Sequence, residues 1–235
     1  MSQLKNKIIG ISIGIRFVRT FRISDISGDI IDNILHCDKS PFDIKYFPKI
    51  KENNSREKIL LNDETNDYFR INTDDLILSI SVNENFDKKI NFIQNSVIPY
   101  YKETLFKKYK IENIKRIGII FHHKLDKIEK MNSLVKDLTS EKVSEVNNIN
   151  LSFSKKLPTT EGMISKDVNN FKNTIYTFEQ QSDEIFFNFD YQCYYEPALQ
   201  DLRDTDIDSI IETSSKYLEE NVYNNWLNEY GKQEK

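Results

Sequence analysis

Three groups of side chains in this sequence have the chemistry to bind or to catalyse. The first is His122-His123, two of the three histidines, directly after the apolar run Ile117–Phe121. An imidazole at a strand end can serve as acid, base or metal ligand, and Asp126 is near enough in sequence to orient one. Adjacent strand residues point to opposite faces, so one metal ion would take both only across a bend. No His-Glu-x-x-His and no third ligand at a familiar spacing accompany the pair. Two separately hydrogen-bonded histidines are the competing reading.

The second group is acidic: Asp201, Asp204, Asp206 and Asp208, with Asp190 and Glu196 upstream. Carboxylates at this density can hold Mg²⁺ or Ca²⁺ through hard oxygen ligands. The calcium-loop pattern is missing, because no glycine marks the turn and no glutamate closes the loop. Aspartates just before a long apolar-periodic segment also cap a helix and suit its dipole. No Walker loop, no Gly-x-Gly-x-x-Gly after a strand and no Gly-x-Ser-x-Gly elbow is read in the sequence. Cys37 adjoins His36, but sequence neighbours rarely meet as nucleophile and base. No catalytic residue, metal or cofactor is assigned on this evidence.

The third group is defined by charge. Residues 86–136 carry twelve Lys or Arg against five Asp or Glu, a local net of 12 − 5 = +7. Residues 183–220 carry two against eleven, 2 − 11 = −9. Lys102, Lys107, Lys108 and Lys110 are interleaved with Tyr100, Tyr101, Phe106 and Tyr109. Such a segment can track a phosphate backbone and stack on bases, dock on an acidic partner, or lie along the chain's own acidic stretch. The late run Tyr191, Tyr194 and Tyr195 has the residue type enriched at interfaces, and equally that of a half-buried strand.

The elements that would position these groups follow from periodicity. Ile9, Ile11, Ile13, Ile15 and Phe17 alternate, which makes 7–19 a strand with glycines on its other face. Ser24 is placed to cap a helix carrying Ile26, Ile30, Ile31, Ile34 and Leu35. Phe42, Ile44 and Tyr46 alternate, 49–57 reads as a loop, and 58–62, 67–71 and 76–82 read as short antiparallel strands. A helix over 87–109 carries Ile90, Ile93, Val97, Tyr101 and Leu105 in a stripe, with Pro99 expected to kink it. Then come a strand at 116–122, a helix at 125–138, a strand around Ile149–Phe153, a hairpin of 171–180 with 184–195, and a helix from Asp206 to Tyr230. This order implies an α+β fold, a largely antiparallel sheet with helices on one face. The 235 residues form one domain, 1–235, in which 1–124 and 125–235 read as two similar subdomains sharing a sheet.

Aromatic residues at 12% supply a core, and mixed charge with a net of −4 excludes the disordered class. Two distant cysteines, Cys37 and Cys193, suit a reducing compartment. The apolar stretch Ile8–Ile15 is too short to span a bilayer and is followed at once by Arg16. A soluble cytoplasmic protein without membrane contact is expected.

Phe69-Arg-Ile-Asn-Thr-Asp-Asp-Leu-Ile-Leu-Ser-Ile80, the long helix leading into Arg116-Ile-Gly-Ile-Ile-Phe121, and Phe187-Asn-Phe-Asp190 together resemble a sporadically distributed, uncharacterised prokaryotic family of similar length. In that family a similar Arg–aliphatic–Gly strand continues into Tyr or an Asn-containing turn, where this chain has His122-His123. The resemblance implies an accessory role in a mobile-element or phage-defence locus, with no catalytic residue to carry over. The leading expectation is a non-catalytic protein-interaction subunit of a larger assembly, docking through Tyr101, Lys102, Lys107, Lys108, Lys110, Tyr191, Tyr194 and Tyr195. The alternatives are a metal-dependent hydrolase or nuclease using His122 or His123 with Asp190, and nucleic-acid binding through the basic helix.

Overall fold

Alternation of isoleucine with small residues in Ile8–Phe17 makes the first strand, β1, and places it at the centre of the sheet. The computed structural model describes residues 5–54, 56–83, 85–125, 150–157, 170–181 and 184–227. Eight further strands follow: β2 Lys49–Asn54, β3 Glu57–Asn62, β4 Asp67–Ile71, β5 Asp75–Ser81, β6 Ile114–Leu125, β7 Asn150–Leu157, β8 Phe171–Gln181 and β9 Glu184–Leu199. They form one sheet in the order β2-β3-β4-β5-β1-β6-β9-β8-β7, and every pairing is antiparallel. The halves follow one plan. In each half a meander brings its last strand back beside a central strand, β5 beside β1 and β9 beside β6, and a helix comes next; a helix at Arg22–His36 separates β1 from β2, and 126–149, between β6 and β7, lie outside the described residues.

Three helices lie on one face. α1 is Arg22–His36. α2 runs from Phe86–Phe92 through the π-helical Ile93–Val97, the turn Ile98–Tyr100 and the π-helical Tyr101–Phe106 to Lys107–Tyr109. α3 is Ile207–Tyr217 and continues as a π-helix over Leu218–Leu227. Their apolar sides meet Ile11, Ile13, Ile15, Phe69, Leu78, Ile117, Ile119, Phe121, Phe187 and Phe189 in one core. Aromatic contacts join the layers: Phe69 to Tyr101, Phe121 to Phe86, and Phe189 stacked on Tyr217. No described helix is long and apolar enough to cross a membrane.

Several expectations are corrected. Residues 42–46 are not a strand: the Asp43 carboxylate accepts from the amides of Lys45 and Tyr46 and curls the chain into a turn, leaving Ile44 exposed. Residues 49–54 are a strand rather than a loop; β2 is a sheet edge, where charged residues are the rule, so its composition hides it. Ser24 does not cap α1, which starts two residues earlier after Phe21 with no side-chain cap. Ile9 is exposed while Ile8 is buried, because the pairing with β6 shifts between Ile8 and Gly10. At Pro99, where a kink is expected, the helix runs on. The proline has no amide to donate and crowds the preceding turn, and the helix is widened into π turns on either side. The helix expected at 125–138 lies outside the described residues, apart from Leu125, which ends β6.

α2 stops at Lys110, whose φ of 48° is left-handed. This conformation favours glycine at a helix C-terminus. Lys110→Gly is expected to stabilise the fold by up to ~1 kcal/mol, after allowing for the greater freedom of glycine in the unfolded chain. Urea unfolding checks it, and a loss of stability would mean that the lysine side chain holds something the backbone does not.

Candidate functional site on the uncovered face of the sheet

His122 and His123 are consecutive on β6 and serve opposite faces. His123 is buried on the helix side, with Nδ1 facing the carbonyls of Phe187 and Phe121 at 3.1 and 3.2 Å, and Nε2 2.6 Å from the Tyr223 hydroxyl. Carbonyls only accept, so Nδ1 carries the proton and Nε2 accepts from Tyr223. Burial lowers the imidazole to about 4. This histidine ties α3 to the sheet.

His122 is on the other face, which the described helices do not cover. Its Nε2 is 2.7 Å from Ser12 Oγ, its Nδ1 is 2.7 Å from Asn188 Oδ1, and Ser12 is hydrogen-bonded to Ser79 Oγ at 2.9 Å. Serine, imidazole and amide thus stand in the order of a nucleophile, its base and the group that orients the base. Sequence reasoning missed this grouping: Gly10-Ile11-Ser12-Ile13-Gly14 spells Gly-x-Ser-x-Gly, here inside a strand and not at an elbow. The placement also withholds what acyl transfer needs. β1 is paired on both sides from Gly10 to Arg16, so the amides around Ser12 are committed to the sheet and cannot form an oxyanion hole. Ser12 itself is only 3% exposed. The chain Ser79–Ser12–His122–Asn188 cross-links β5, β1, β6 and β9.

A second chain runs beside it. Arg116 lies over the Tyr194 ring at 5.7 Å, the Tyr194 hydroxyl donates to Gln192 Oε1 at 2.7 Å, and Gln192 Nε2 donates to Asp190 Oδ2. The other oxygen of Asp190 is buried without a hydrogen-bond partner, and a Cβ on Gly118 would stand 3.3 Å from it. Burial raises this carboxyl to about 6, against the pull of Gln192 and Arg116. Gly118 and Gly14 face each other across β6 and β1, and the side chains of Asp190 and Gln192 lie close over Gly118, which is buried. Half-exposed Ile77, Ile120 and Ile175 surround these polar groups.

The structure separates most of the expected site residues. Asp190 and His122 share a face, His123 does not, and Asp126 lies outside the described residues. Asp201 and Asp206 cap helical turns, accepting from the amides of Arg203 and Ser209. No group of three or more His, Cys, Asp or Glu able to hold a metal occurs among the described residues. The acidic stretch lies along α2, where Lys102 Nζ donates to the Thr205 carbonyl at 2.8 Å. Tyr101 and Tyr191 are buried, and Tyr195 is turned inward to Thr205. The rings interleaved with the lysines of α2 therefore face the core and cannot stack on a ligand. Lys107 pairs loosely with Glu103, Lys108 lies beside Tyr109, and Lys110 is the cap described above. Of the eight interaction residues expected, Tyr194 alone belongs to the uncovered face.

Two outcomes follow. Tyr223→Phe leaves Nε2 of His123 unpaired in the core and is expected to cost ~1–3 kcal/mol in urea unfolding; no cost would show that the hydrogen bond is unimportant. For Asp190, a folded value of about 6 against 3.8 means that the native state holds a proton the unfolded chain has released, so this group's effect on stability worsens as pH rises from about 4 to 6. Asp190→Asn is expected to gain ~2 kcal/mol at pH 7 and nothing near pH 4. His123 acts oppositely, since its lowered value withdraws stability as pH falls from 6.5 to about 4. Destabilisation by Asp190→Asn at pH 7 would mean that the carboxylate is held by a partner.

Compared with protein-family models and with curated proteins, the sequence matches none, so the reading of this face rests on its geometry.

Proposed function

We propose that the protein is a non-catalytic binding module, an accessory component that holds a macromolecular partner against the uncovered face of its sheet. The observation that carries this reading is the difference between the two faces. One is sealed by α1, α2 and α3, and the other alternates half-exposed Ile77, Ile120 and Ile175 with polar groups tied to one another in chains. A surface of this kind has little side-chain entropy left to lose on binding. Apolar centre, tyrosine and arginine are also the composition of interface hot spots. The Ser12 relay supports rigidity better than catalysis, because the neighbouring amides are spent in the sheet.

The test is purification of the tagged chain from its native host, with the mass and composition of the eluate. Wild type is expected to bring a stoichiometric macromolecule. Ile120→Lys, in the middle of the face, is expected to lose it, while Lys107→Glu on α2 keeps it. A wild-type chain that elutes alone, or a partner indifferent to Ile120→Lys, overturns the reading.

A further inference from the structure

Apolar side chains are spread over the whole uncovered face. On one side of β1, Leu61 lies opposite Tyr68, Ile59 opposite Arg70, and Arg70 opposite Ile77. On the other side, Ile120 and Ile175 flank Asp190. All five apolar residues and Tyr68 are partly exposed. They span the neighbouring strands from β3 to β8, a width of about 29 Å at the usual strand spacing. A single helix, about 10 Å across, would cover only two of those strands. Another sheet covers most of them at once, because sheets of like twist pack face to face with their strands nearly aligned. The regular stretch of β1, Gly10 to Arg16, makes the patch about 23 Å long. The projected area, roughly 670 Å², is comparable with the contact area of one partner in a stable interface.

Charge on this face is met from within. Arg70, in the middle of β4, is held by Glu57 at 3.4 Å and by Asp75 at 3.1 Å, with side-chain exposures of 29%, 16% and 20%. These three groups are already largely out of water, so a covering surface strips little further hydration from them. Arg16 shares Asp74 with Arg19 at 3.5 and 3.1 Å, Arg116 acts on the Asp190 carboxyl, and Lys124 is bridged to Glu184. At the β7 margin Lys156 lies over the Phe171 ring, which is stacked on Tyr194. A strongly basic or acidic partner therefore finds little to pair with. An identical face, brought up by a two-fold axis, meets no block of like charge.

We infer that the uncovered face binds the same face of a second copy of this chain, two sheets packed together with α1, α2 and α3 of each copy outside. The inference rests on the binding-module reading and names its partner. In the host purification the macromolecule brought down is then the untagged chain. The chain Ser79–Ser12–His122–Asn188 contributes by fixing the strands on which the isoleucines are carried.

The test is sedimentation equilibrium of the purified full chain over a range of concentrations. Wild type is expected to rise from 27.8 kDa to twice that mass. The dimer constant is expected to change little between low and high salt, since the contact is apolar and its charges are paired within each copy. Ile120→Lys and Ile77→Lys, on opposite sides of β1, are each expected to weaken the dimer on the order of a hundredfold, because each copy buries an unpaired ammonium. Lys107→Glu on α2 leaves the dimer unchanged. The two lysine variants lie on different strands, so one serves if the other fails to fold, and melting curves verify each protein. A wild-type mass of 27.8 kDa at every concentration overturns the inference. So does a dimer that is indifferent to both lysine variants, that dissociates steeply with salt, or that Lys107→Glu breaks. If the chain stays monomeric while the host eluate carries another macromolecule that Ile120→Lys releases, the binding-module reading survives with a different partner. If it stays monomeric and elutes alone, neither stands.

Discussion

The pairing of β1 with β6 joins two separate meanders into one sheet, and its register decides the chemistry of both faces. Ile11, Ile13 and Ile15 meet Phe121, Ile119 and Ile117 on the helix side, while Gly14 meets Gly118 on the other. A slip of one residue would turn the isoleucines outward and put Ser12 and the glycines against the helices, so burial enforces the register strongly. Shifts between Ile8 and Gly10 and between Arg16 and Phe17 bound the regular stretch at both ends. Within it, the strand that anchors the core also lays out the uncovered face.

That constraint explains why groups with catalytic chemistry are used structurally. A strand paired on both sides has no amide to spare, so Ser12 sits beside a base with nothing to stabilise an oxyanion. The step from His122 to His123 changes the face and with it the role. One imidazole cross-links strands on the face that the described helices leave open, and the other is kept neutral in the core as the acceptor for Tyr223. Both are held by hydrogen bonds of comparable length, so bond length alone would not separate a functional histidine from a structural one.

Much of the architecture was legible. Period-two alternation located β1, β4, β6, β8 and β9, and the helical stripe located α2 and α3. What failed did so for local reasons: Asp43 competes for backbone amides, and β2 is polar because it is an edge. Of the site, the opposition of His122 and His123 was readable from the strand period, and so was capping by Asp206. The aromatic–basic interleaving of 100–110 does lie on α2. In α2 it follows the helix period, which carries the rings inward to the core. The corresponding row on the sheet comes from residues on five strands, Arg16, Arg116, Lys156, Phe171 and Tyr194, that only the register brings together, and a single sequence does not encode that register locally.

Net charge is a poor guide to such a surface. The chain totals −4, and its acidic excess lies largely in 183–220. Part of that stretch is spent within the fold, where Asp201 and Asp206 cap turns and the backbone at Thr205 receives Lys102. These two carboxylates lie on the α2 side, whereas Asp190 of the same stretch stays on the face of Arg116, which pulls on it. The charge balance of the open face is thus a consequence of topology, because the same strand order that places the helices and their acidic cap on one face brings the cations of β4 and β6 beside carboxylates on the other.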